Sequence, residues 1–383
     1  MTVRLVKFDV VHPAEYLTAK KAEHGSLEAM SLEEYRRWLI GLRSNYSDFY
    51  THWLNEAGGW EAEEFFLNDP LFLKKVAREV WGGAGAAARE VKRAARTRLR
   101  RQGSAMEDIV RAYLAARPAD VVFARSNPMP SGFWRSVPSL AVSRLSARMP
   151  SAWHPEHFDL LFVDDPVFKA FFEMHGVPTK LNRQGFDPRV ADELEAPRER
   201  YEAVFVGGLG VRNFSRRTAF VAELARHTRV DFWGYWWQET GPKGSIADWP
   251  DLEQTFHGPT SGLEMYQIFR DARIVLNDYV DLDVASGIGY NQRMFEVMGA
   301  GGFLLTRAAT NLAMDFPPNV FATYTDLADC LDKIRYYETN EAERREMAAV
   351  GQATVLERYS FRDIALEFGG DVRGALEGRR ATR

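Results

Sequence analysis

Apolar and polar positions follow two periods that alternate along this chain of 383 residues. Strand-like runs in the first half are predicted at 3–11, 60–67, 120–124, 139–142 and 160–163. Helix-like runs are predicted at 31–57, 70–81, 84–101, 106–116 and 167–175. Ser31 and Glu34 have the spacing of a capping box, and Gly58-Gly59 end the helix that begins there.

The alternation restarts after a charged stretch at 192–200, which contains Pro197 and is typical of an interdomain linker. Strands are predicted at 202–206, 229–233, 273–276, 302–306 and 320–322. Helices are predicted at 215–226, 262–271, 291–299, 325–337, 341–357 and 361–376. Because strands and helices alternate in both halves, we expect an α/β protein with two doubly wound domains facing one cleft.

Composition narrows the class of protein. A hydrophobic content of 46% can fill two cores, and the single cysteine, Cys330, excludes an internal disulfide and favours a cytoplasmic location. The first residues alternate like a strand and do not resemble a signal peptide, and no apolar run approaches the ~20 residues of a membrane-spanning helix. A net charge of -4 argues against nucleic acid as a partner.

The segment 266–306 is the most informative about function. An apolar strand ends at Asn277, a loop with glycines follows, and a helix then leads into a second apolar strand. Parallel α/β units bind ligands where loops leave the carboxyl ends of strands. Backbone N–H groups at a helix start favour an anion, and a carboxylate one turn in accepts hydrogen bonds from two sugar hydroxyls. The polar and glycine positions that predict a nucleotide-sugar site are Asn277, Gly287, Gly289, Asn291, Arg293 and Glu296.

The same residues carry a family resemblance. N-x-R-x-F-E followed by G-F-L-L-T resembles the donor-binding signature of group 1 glycosyltransferases, and most closely the CgeB-like, spore-maturation-type branch. The likeness continues through Y-E-A-V-F-V-G-G-L (201–209), V-D-F-W-G-Y (230–235) and E-R-R-E-M-A-A-V-G (343–351). It covers the second half of the chain well and the first half loosely, through F-D-L-L-F-V (158–163) and G-F-D-P (185–188).

The resemblance implies the GT-B architecture of two Rossmann-like domains with a C-terminal helix crossing back to the first. It implies an acceptor-binding domain at 1–196, a nucleotide-sugar-binding domain at 197–360, and a crossover helix and tail at 361–383. The implied activity is metal-independent transfer of a hexose-like unit from a nucleoside-diphosphate sugar, taken here as a UDP-sugar, without a further cofactor. The acceptor is left open among glycans, lipid-linked sugars, proteins and small molecules.

Each donor-site residue has an alternative interpretation. Glu296 is expected to bind the ribose hydroxyls, or else to be a solvated helix carboxylate; Arg293 pairs either with a diphosphate or with Glu296. Many retaining members of the group carry a second Glu eight residues upstream, where this chain has Ile288. The anomeric outcome is therefore left open.

Gly207 and Gly208 follow an apolar strand, where a tight turn lets the backbone approach phosphate. The dinucleotide fingerprint fails because Asn213 replaces its third glycine. Arg212 and Arg217, with Arg216, begin the next helix and are candidates for the diphosphate, the alternative being a solvated basic helix start.

Two aromatic positions are candidates for the nucleobase. Trp233 ends a strand that should point to the site, and His257 lies in a position that contacts the base region in relatives. Core packing and a structural histidine are the alternatives. Asp281-Leu282-Asp283 is a D-x-D tripeptide, but the resemblance requires no metal and we expect none.

In the first half, His12 and Asp164 follow predicted strands and are the candidates for a catalytic base, with structural roles as the alternative. The basic segment 89–101 either contacts an anionic membrane at the inner face or forms a solvated helix face. The function predicted is sugar transfer. A GT-B-fold nucleotide-sugar epimerase and a non-catalytic sugar-binding or assembly protein are the alternatives.

Overall fold

A computed structural model describes residues 2–82, 105–125, 129–145, 154–210, 214–237, 245–280, 289 and 291–381. The chain forms two compact units, one of residues 1–183 with 362–383 and the other of residues 184–361. The passage from the first unit to the second therefore precedes the charged stretch at 192–200. The helix predicted at 84–101 and the D-x-D tripeptide at 281–283 lie outside the described residues, as do Arg212 and Gly287.

The first unit contains a six-stranded parallel sheet with the order β2-β1-β3-β4-β5-β6. Its strands are β1 Val3–Asp9, β2 Trp60–Phe66, β3 Val121–Ala124, β4 Leu140–Leu145, β5 Leu160–Val163 and β6 Thr179–Leu181. All residues of β3, β4 and β5 are buried, as expected for parallel strands covered on both faces. The sequence predicted five of these strands and missed β6, which has only three residues.

Helices cover this sheet, and the last of them ends at Ala381. They are Ala14–Glu23, Leu32–Gly41, Phe49–Ala57, 70–82, Ala105–Ala116, Ser131–Trp134, Pro166–Met174 and Phe361–Ala381. Phe368 of the last helix packs against Phe123 and Phe162, with ring centroids 4.6 and 4.7 Å away. The C-terminal helix therefore belongs to the core of the first unit, as the predicted crossover requires.

The prediction of one helix over 31–57 was wrong, because residues 42–48 divide it into the helices Leu32–Gly41 and Phe49–Ala57. The capping box between Ser31 and Glu34 is present, but three residues in the break, Arg43, Asn45 and Ser47, have φ angles of 51°, 59° and 35°. Non-glycine residues adopt this region only when the surroundings hold them there. Those surroundings are strand β1 and the loop that follows it, which sequence periodicity does not reveal.

The second unit contains a five-stranded parallel sheet with the order β13-β12-β11-β7-β9 and a short parallel pair, β8 and β10. Its strands are β7 Tyr201–Val206, β8 Leu209–Gly210, β9 Asp231–Trp233, β10 Trp236–Trp237, β11 Ala272–Asn277, β12 Leu304–Arg307 and β13 Ala322–Tyr324. Its helices are Pro188–Glu193, Ser215–His227, Pro250–Glu253, Gly262–Asp271, Gln292–Gly299, Leu312–Asp315, Leu327–Thr339 and Glu341–Arg358.

Both sheets reverse their strand order once. In each of these sheets the strand that comes first in the sequence lies between the next two strands of that sheet: β1 lies between β2 and β3, and β7 lies between β9 and β11. The reversal therefore falls between β1 and β3 in one sheet and between β7 and β11 in the other. Loops that leave the carboxyl ends of strands diverge at such a point and form a crevice for ligands. The two reversals are therefore the places to look for function.

Candidate functional site

The reversal in the second sheet brings together the loops after β7 and β11. Gly207 and Gly208 follow β7, and Asp278 follows β11. The N–H of Gly207 donates to the carbonyl of Trp233 at 3.0 Å, and a Cβ at Gly234, whose φ is 141°, would collide with the Gly207 carbonyl. Glycine at 234 therefore permits close backbone contact beside the turn.

The side chain of Arg217, from the first turn of the helix Ser215–His227, reaches this turn. Its guanidinium group donates to the carbonyl of Gly208 and, at 3.2 Å, to the carbonyl of Asp278. Arg217 is buried and joins the loops that follow β7 and β11. Its predicted contact with a diphosphate stays a prediction, and Arg212 lies outside the described residues.

Asp278 is an organising residue that the sequence analysis missed. Its buried carboxylate accepts from Arg216 at 2.8 Å and from Arg307, at the end of β12, at 2.9 Å. One acid thereby fixes two cations at the carboxyl edge of the sheet, and the group retains a net positive charge. The only available signal was its position directly after the apolar strand that ends at Asn277.

Asn277 and Asn291 connect this edge to the helix Gln292–Gly299. The Asn277 side chain donates to Thr306 Oγ1 at 2.9 Å and accepts from Asn291 Nδ2 at 3.1 Å. Asn291 is the N-cap residue of the helix but makes no side-chain capping bond. Its Oδ1 is buried without a hydrogen-bond partner among the described residues. The start of this helix therefore retains hydrogen-bonding capacity for a ligand.

Glu296 lies one turn into the same helix and is held by an ion pair. Arg293 Nη1 is 2.7 Å from Glu296 Oε2, and only 9% of Glu296 is exposed. The same nitrogen is 2.8 Å from Met265 Sδ, in the first turn of the helix Gly262–Asp271. Arg293 thus orients the carboxylate and places two helix N-termini side by side.

The segment before the helix Gly262–Asp271 contains another buried polar group. Thr260 is 4% exposed, and its Oγ1 has no hydrogen-bond partner within the described ranges. Ser261, the N-cap residue, makes no side-chain capping bond. Sequence reasoning missed Thr260, because a threonine before a helix is usually a cap.

Gly289 supports the loop before Asn291. Its N–H donates to Asn311 Oδ1 at 2.9 Å, and a Cβ at this position would collide with the ring of Tyr279. The close approach explains why glycine stands here. Gly287 lies outside the described residues.

Trp233 and His257 form a stacked pair. Their ring centroids are 4.2 Å apart with an interplanar angle of 16°, and His257 Nε2 is 2.7 Å from a carboxylate oxygen of Asp231. Trp233 is buried, so His257 covers one of its faces. The predicted contacts of these rings with a nucleobase stay predictions.

The two catalytic candidates of the first unit are not neighbours in its sheet. His12 follows β1 and Asp164 follows β5, and β3 and β4 lie between these strands. At the usual strand spacing this separates the strands by roughly 14 Å. Burial lowers the pKa of His12 from its ordinary value, and the carboxylate of Glu15 opposes this shift. A base role for either residue stays a prediction.

The described residues offer neither a metal-binding cluster nor a membrane-spanning helix. No group of three or more His, Cys, Asp or Glu side chains is placed there to hold a metal ion, while Asp281 and Asp283 lie outside those residues. No helix in the same ranges has the length and apolar character to cross a bilayer. The basic segment 89–101 is likewise outside the described residues.

Comparison with known proteins identifies the architecture. HepE from Anabaena, solved with UDP and glucose, aligns with a TM-score of 0.54 and 13% identity over 97% of this chain and 100% of its own. The UDP-forming α,α-trehalose-phosphate synthase from Burkholderia vietnamiensis aligns with a TM-score of 0.54 and 12% identity over 99% and 100%. Sucrose-phosphate synthase from Thermosynechococcus elongatus gives 0.53 and 11% over 98% and 100%. At these identities the likeness establishes the fold, which is GT-B.

The family comparison concerns the unit that contains Glu296. Residues 216–368 match the family model described as glycosyl transferase-like. No curated protein gives a significant match. Fold and family match together define the class: a GT-B protein whose residues 216–368 match a glycosyl transferase-like family model.

Proposed function

We propose that this protein transfers a sugar from a nucleoside-diphosphate sugar to an acceptor. The observation that carries the proposal is the paired Arg293–Glu296 group one turn inside an uncapped helix start, at the strand reversal of the second sheet. The family match covers this group. Ligands of α/β sheets bind at such reversals.

The donor is assigned to the second unit. Glu296 accepts hydrogen bonds from the ribose hydroxyls, and the N-terminal N–H groups of Gln292–Gly299 face the diphosphate. The oxygens of Asn291 and Thr260, which lack a hydrogen-bond partner within the described part of the chain, supply further hydrogen bonds at the two adjacent helix starts. UDP is the proposed nucleotide, since the similar structure of HepE holds UDP.

Catalysis is proposed to depend on positioning and charge rather than on a metal. The buried carboxylate of Asp278 holds Arg216 and Arg307 at the edge where the diphosphate would lie. Cations fixed in advance stabilise the charge that develops on the departing nucleotide. We further propose that the chain belongs to the CgeB-like branch, because the motifs at 201–209 and 291–306 resemble that branch. We also propose that the first unit binds the acceptor.

Glu296→Ala tests the donor site. Loss of a charge-assisted hydrogen bond should weaken UDP binding by about 1.5–3 kcal/mol, measured by isothermal titration calorimetry. Glu346→Ala, which removes an exposed carboxylate from another helix of the same unit, is the matched control and should bind UDP like the wild type.

Thermal unfolding of both variants separates a binding defect from a folding defect. Unchanged UDP affinity in a folded Glu296→Ala protein would remove the ribose assignment. Release of UDP from a UDP-sugar only when an acceptor is present would distinguish transfer from hydrolysis or epimerisation of free donor.

A further inference from the structure

Two arginines lie beside the strand reversal of the first sheet and take no part in the proposed donor site. Arg125 directly follows β3, and Arg144 lies in the adjacent strand β4. Arg144 is 2% exposed, and its Nη2 donates to the carbonyls of Asn182 and Arg183 at 3.2 and 3.3 Å. Within the described ranges, Nε and Nη1 of Arg144 and Nη1 of Arg125 are buried without a hydrogen-bond partner.

A tyrosine ring brings the two guanidinium groups together. The guanidinium carbon of Arg125 lies 3.3 Å from the ring centroid of Tyr46, and that of Arg144 lies 5.2 Å away. Cation–π contact stabilises each charge. The ring face supplies no hydrogen-bond acceptor, although the Tyr46 side chain also makes a hydrogen bond with Arg144.

The loop that carries Tyr46 is fixed in an uncommon conformation. It contains the three residues with positive φ, and its anchors reach β1 and the loop after β1. Asn45 Nδ2 donates to the carbonyl of Val10 at 3.0 Å, and Lys7 Nζ donates to the carbonyl of Ser47 at 2.5 Å. Such strained backbone persists where the surrounding structure over-determines it.

Asp164 is an acidic side chain among the main electrostatic partners of Arg144. Burial opposes the positive charge of Arg144, but Tyr50, Tyr46 and Asp164 together raise its pKa above the ordinary value. Each of these buried N–H groups can donate to an oxygen of a carboxylate or phosphate. Buried cations with unused donors favour an anionic ligand over a neutral one.

We propose that Arg125, Arg144 and Tyr46 form a subsite for an oxyanion, a carboxylate or phosphate group, carried by the sugar acceptor. The proposal rests on the proposed function, because an acceptor presupposes transfer. It assigns the acceptor to the class of acidic sugars or sugar phosphates. Neutral sugars would leave the same donors unpaired and would bind more weakly.

Calorimetric titrations at saturating UDP test the subsite, since UDP then fills the donor site. The probes are glucose 6-phosphate, glucuronate, inorganic phosphate and glucose. We expect wild-type protein to bind the two charged sugars and not glucose. Arg125→Gln should weaken their binding by at least about tenfold, and the exposed control Arg37→Gln should leave it unchanged.

A second variant keeps the test decisive. Arg144→Gln removes buried hydrogen bonds, so its binding is compared only if the variant folds. Tyr46→Leu keeps an apolar side chain and should also weaken the binding of the charged sugars. Absence of binding by both charged sugars, or equal binding by Arg125→Gln and Arg37→Gln, overturns the proposal. Binding of inorganic phosphate alone identifies a free-anion site and also overturns it.

The UDP titration in the same samples separates the two proposals. If Arg125→Gln binds UDP and also binds the charged sugars as tightly as the wild type does, the subsite is contradicted and the donor assignment stands. Absence of UDP binding by wild-type protein contradicts the proposed function and, with it, the acceptor role of the subsite.

Discussion

The two α/β units stabilise the reversal points of their sheets in different ways. In the first unit Lys7 is fully buried within β1, 2.6 Å from Asp9 and 2.7 Å from Glu64 of β2. In the second unit the strand β7, which lies at the reversal, is apolar over 203–206. The charged groups lie at or beyond the strand ends, where Asp278 binds two arginines. The first edge is thus fixed from within the sheet and the second from its loops.

The difference has a structural consequence at each edge. Lys7 also binds the carbonyl of Ser47, so the buried network holds the loop that carries Tyr46. Asp278 instead holds Arg216 beside Arg217, at the start of the helix Ser215–His227. We therefore expect a charge removed from the first sheet to affect folding, and a charge removed from the second edge to affect binding.

Lys7→Met should produce the largest effect. It leaves the buried carboxyl groups of Asp9 and Glu64 without their shared cation, and loss of one partner of a buried pair costs about 3–5 kcal/mol. Urea unfolding followed by circular dichroism measures this. Lys74→Met, which removes a half-exposed lysine 3.6 Å from Glu28, should cost less than about 1 kcal/mol. Equal losses of unfolding free energy in Lys7→Met and Lys74→Met would contradict the view that the first sheet is stabilised from within by Lys7.

A pH dependence of folding should follow from Glu64. Burial raises the pKa of Glu64 from 4.5 to about 8, with Lys7 opposing and Asp9 adding to the shift. The folded carboxyl keeps its proton where the unfolded one has lost it, so its stabilisation is present below pH 4.5 and is lost as pH rises to about 8. We expect the free energy of unfolding to fall over this window by a few kcal/mol, roughly.

Glu64→Gln is the matched variant for this dependence. The amide keeps the shape of the side chain and does not titrate, so the unfolding free energy should vary less with pH than in the wild type. The same slope in both proteins would show that other groups cause it. Glu63, the neighbouring carboxylate on β2, provides the control variant Glu63→Gln, which should retain the wild-type slope.

The smallest expected effect is that of metal removal. Because Arg216 and Arg307 are held at the second edge, we expect them to provide the positive charge for the diphosphate. UDP affinity and transfer should be unchanged by EDTA. Loss of transfer in EDTA and its recovery with Mn²⁺ would instead assign a metal role to Asp281 and Asp283.

Sequence periodicity predicted the architecture because parallel strands covered on both faces give continuous apolar runs, as in β3 and β5. It also predicted the capping box of Ser31, which depends on residues three apart. The break at 42–48 was not predicted, because its positive φ angles are maintained by contacts with Val10 and Lys7, which lie far away in sequence.

The site was predicted less completely than the fold. Glu296 and Arg293 are visible as a pair because helix geometry brings residues three apart together. Asp278, Thr260 and Arg144 were missed, since each acts through groups from other strands or through a hydrogen-bonding capacity left unused. Single positions of this kind carry no period.

Hydrogen exchange with and without UDP tests the central claim, that the second unit binds the donor at its strand reversal. We predict slower exchange at 207–210 and 291–299 in the presence of UDP, because the ligand would contact the backbone of the glycine turn and of the helix start. Glu296→Ala should reduce this protection at the same UDP concentration. Protection confined to 121–125 and 140–145 of the first unit, or protection nowhere, would contradict the account.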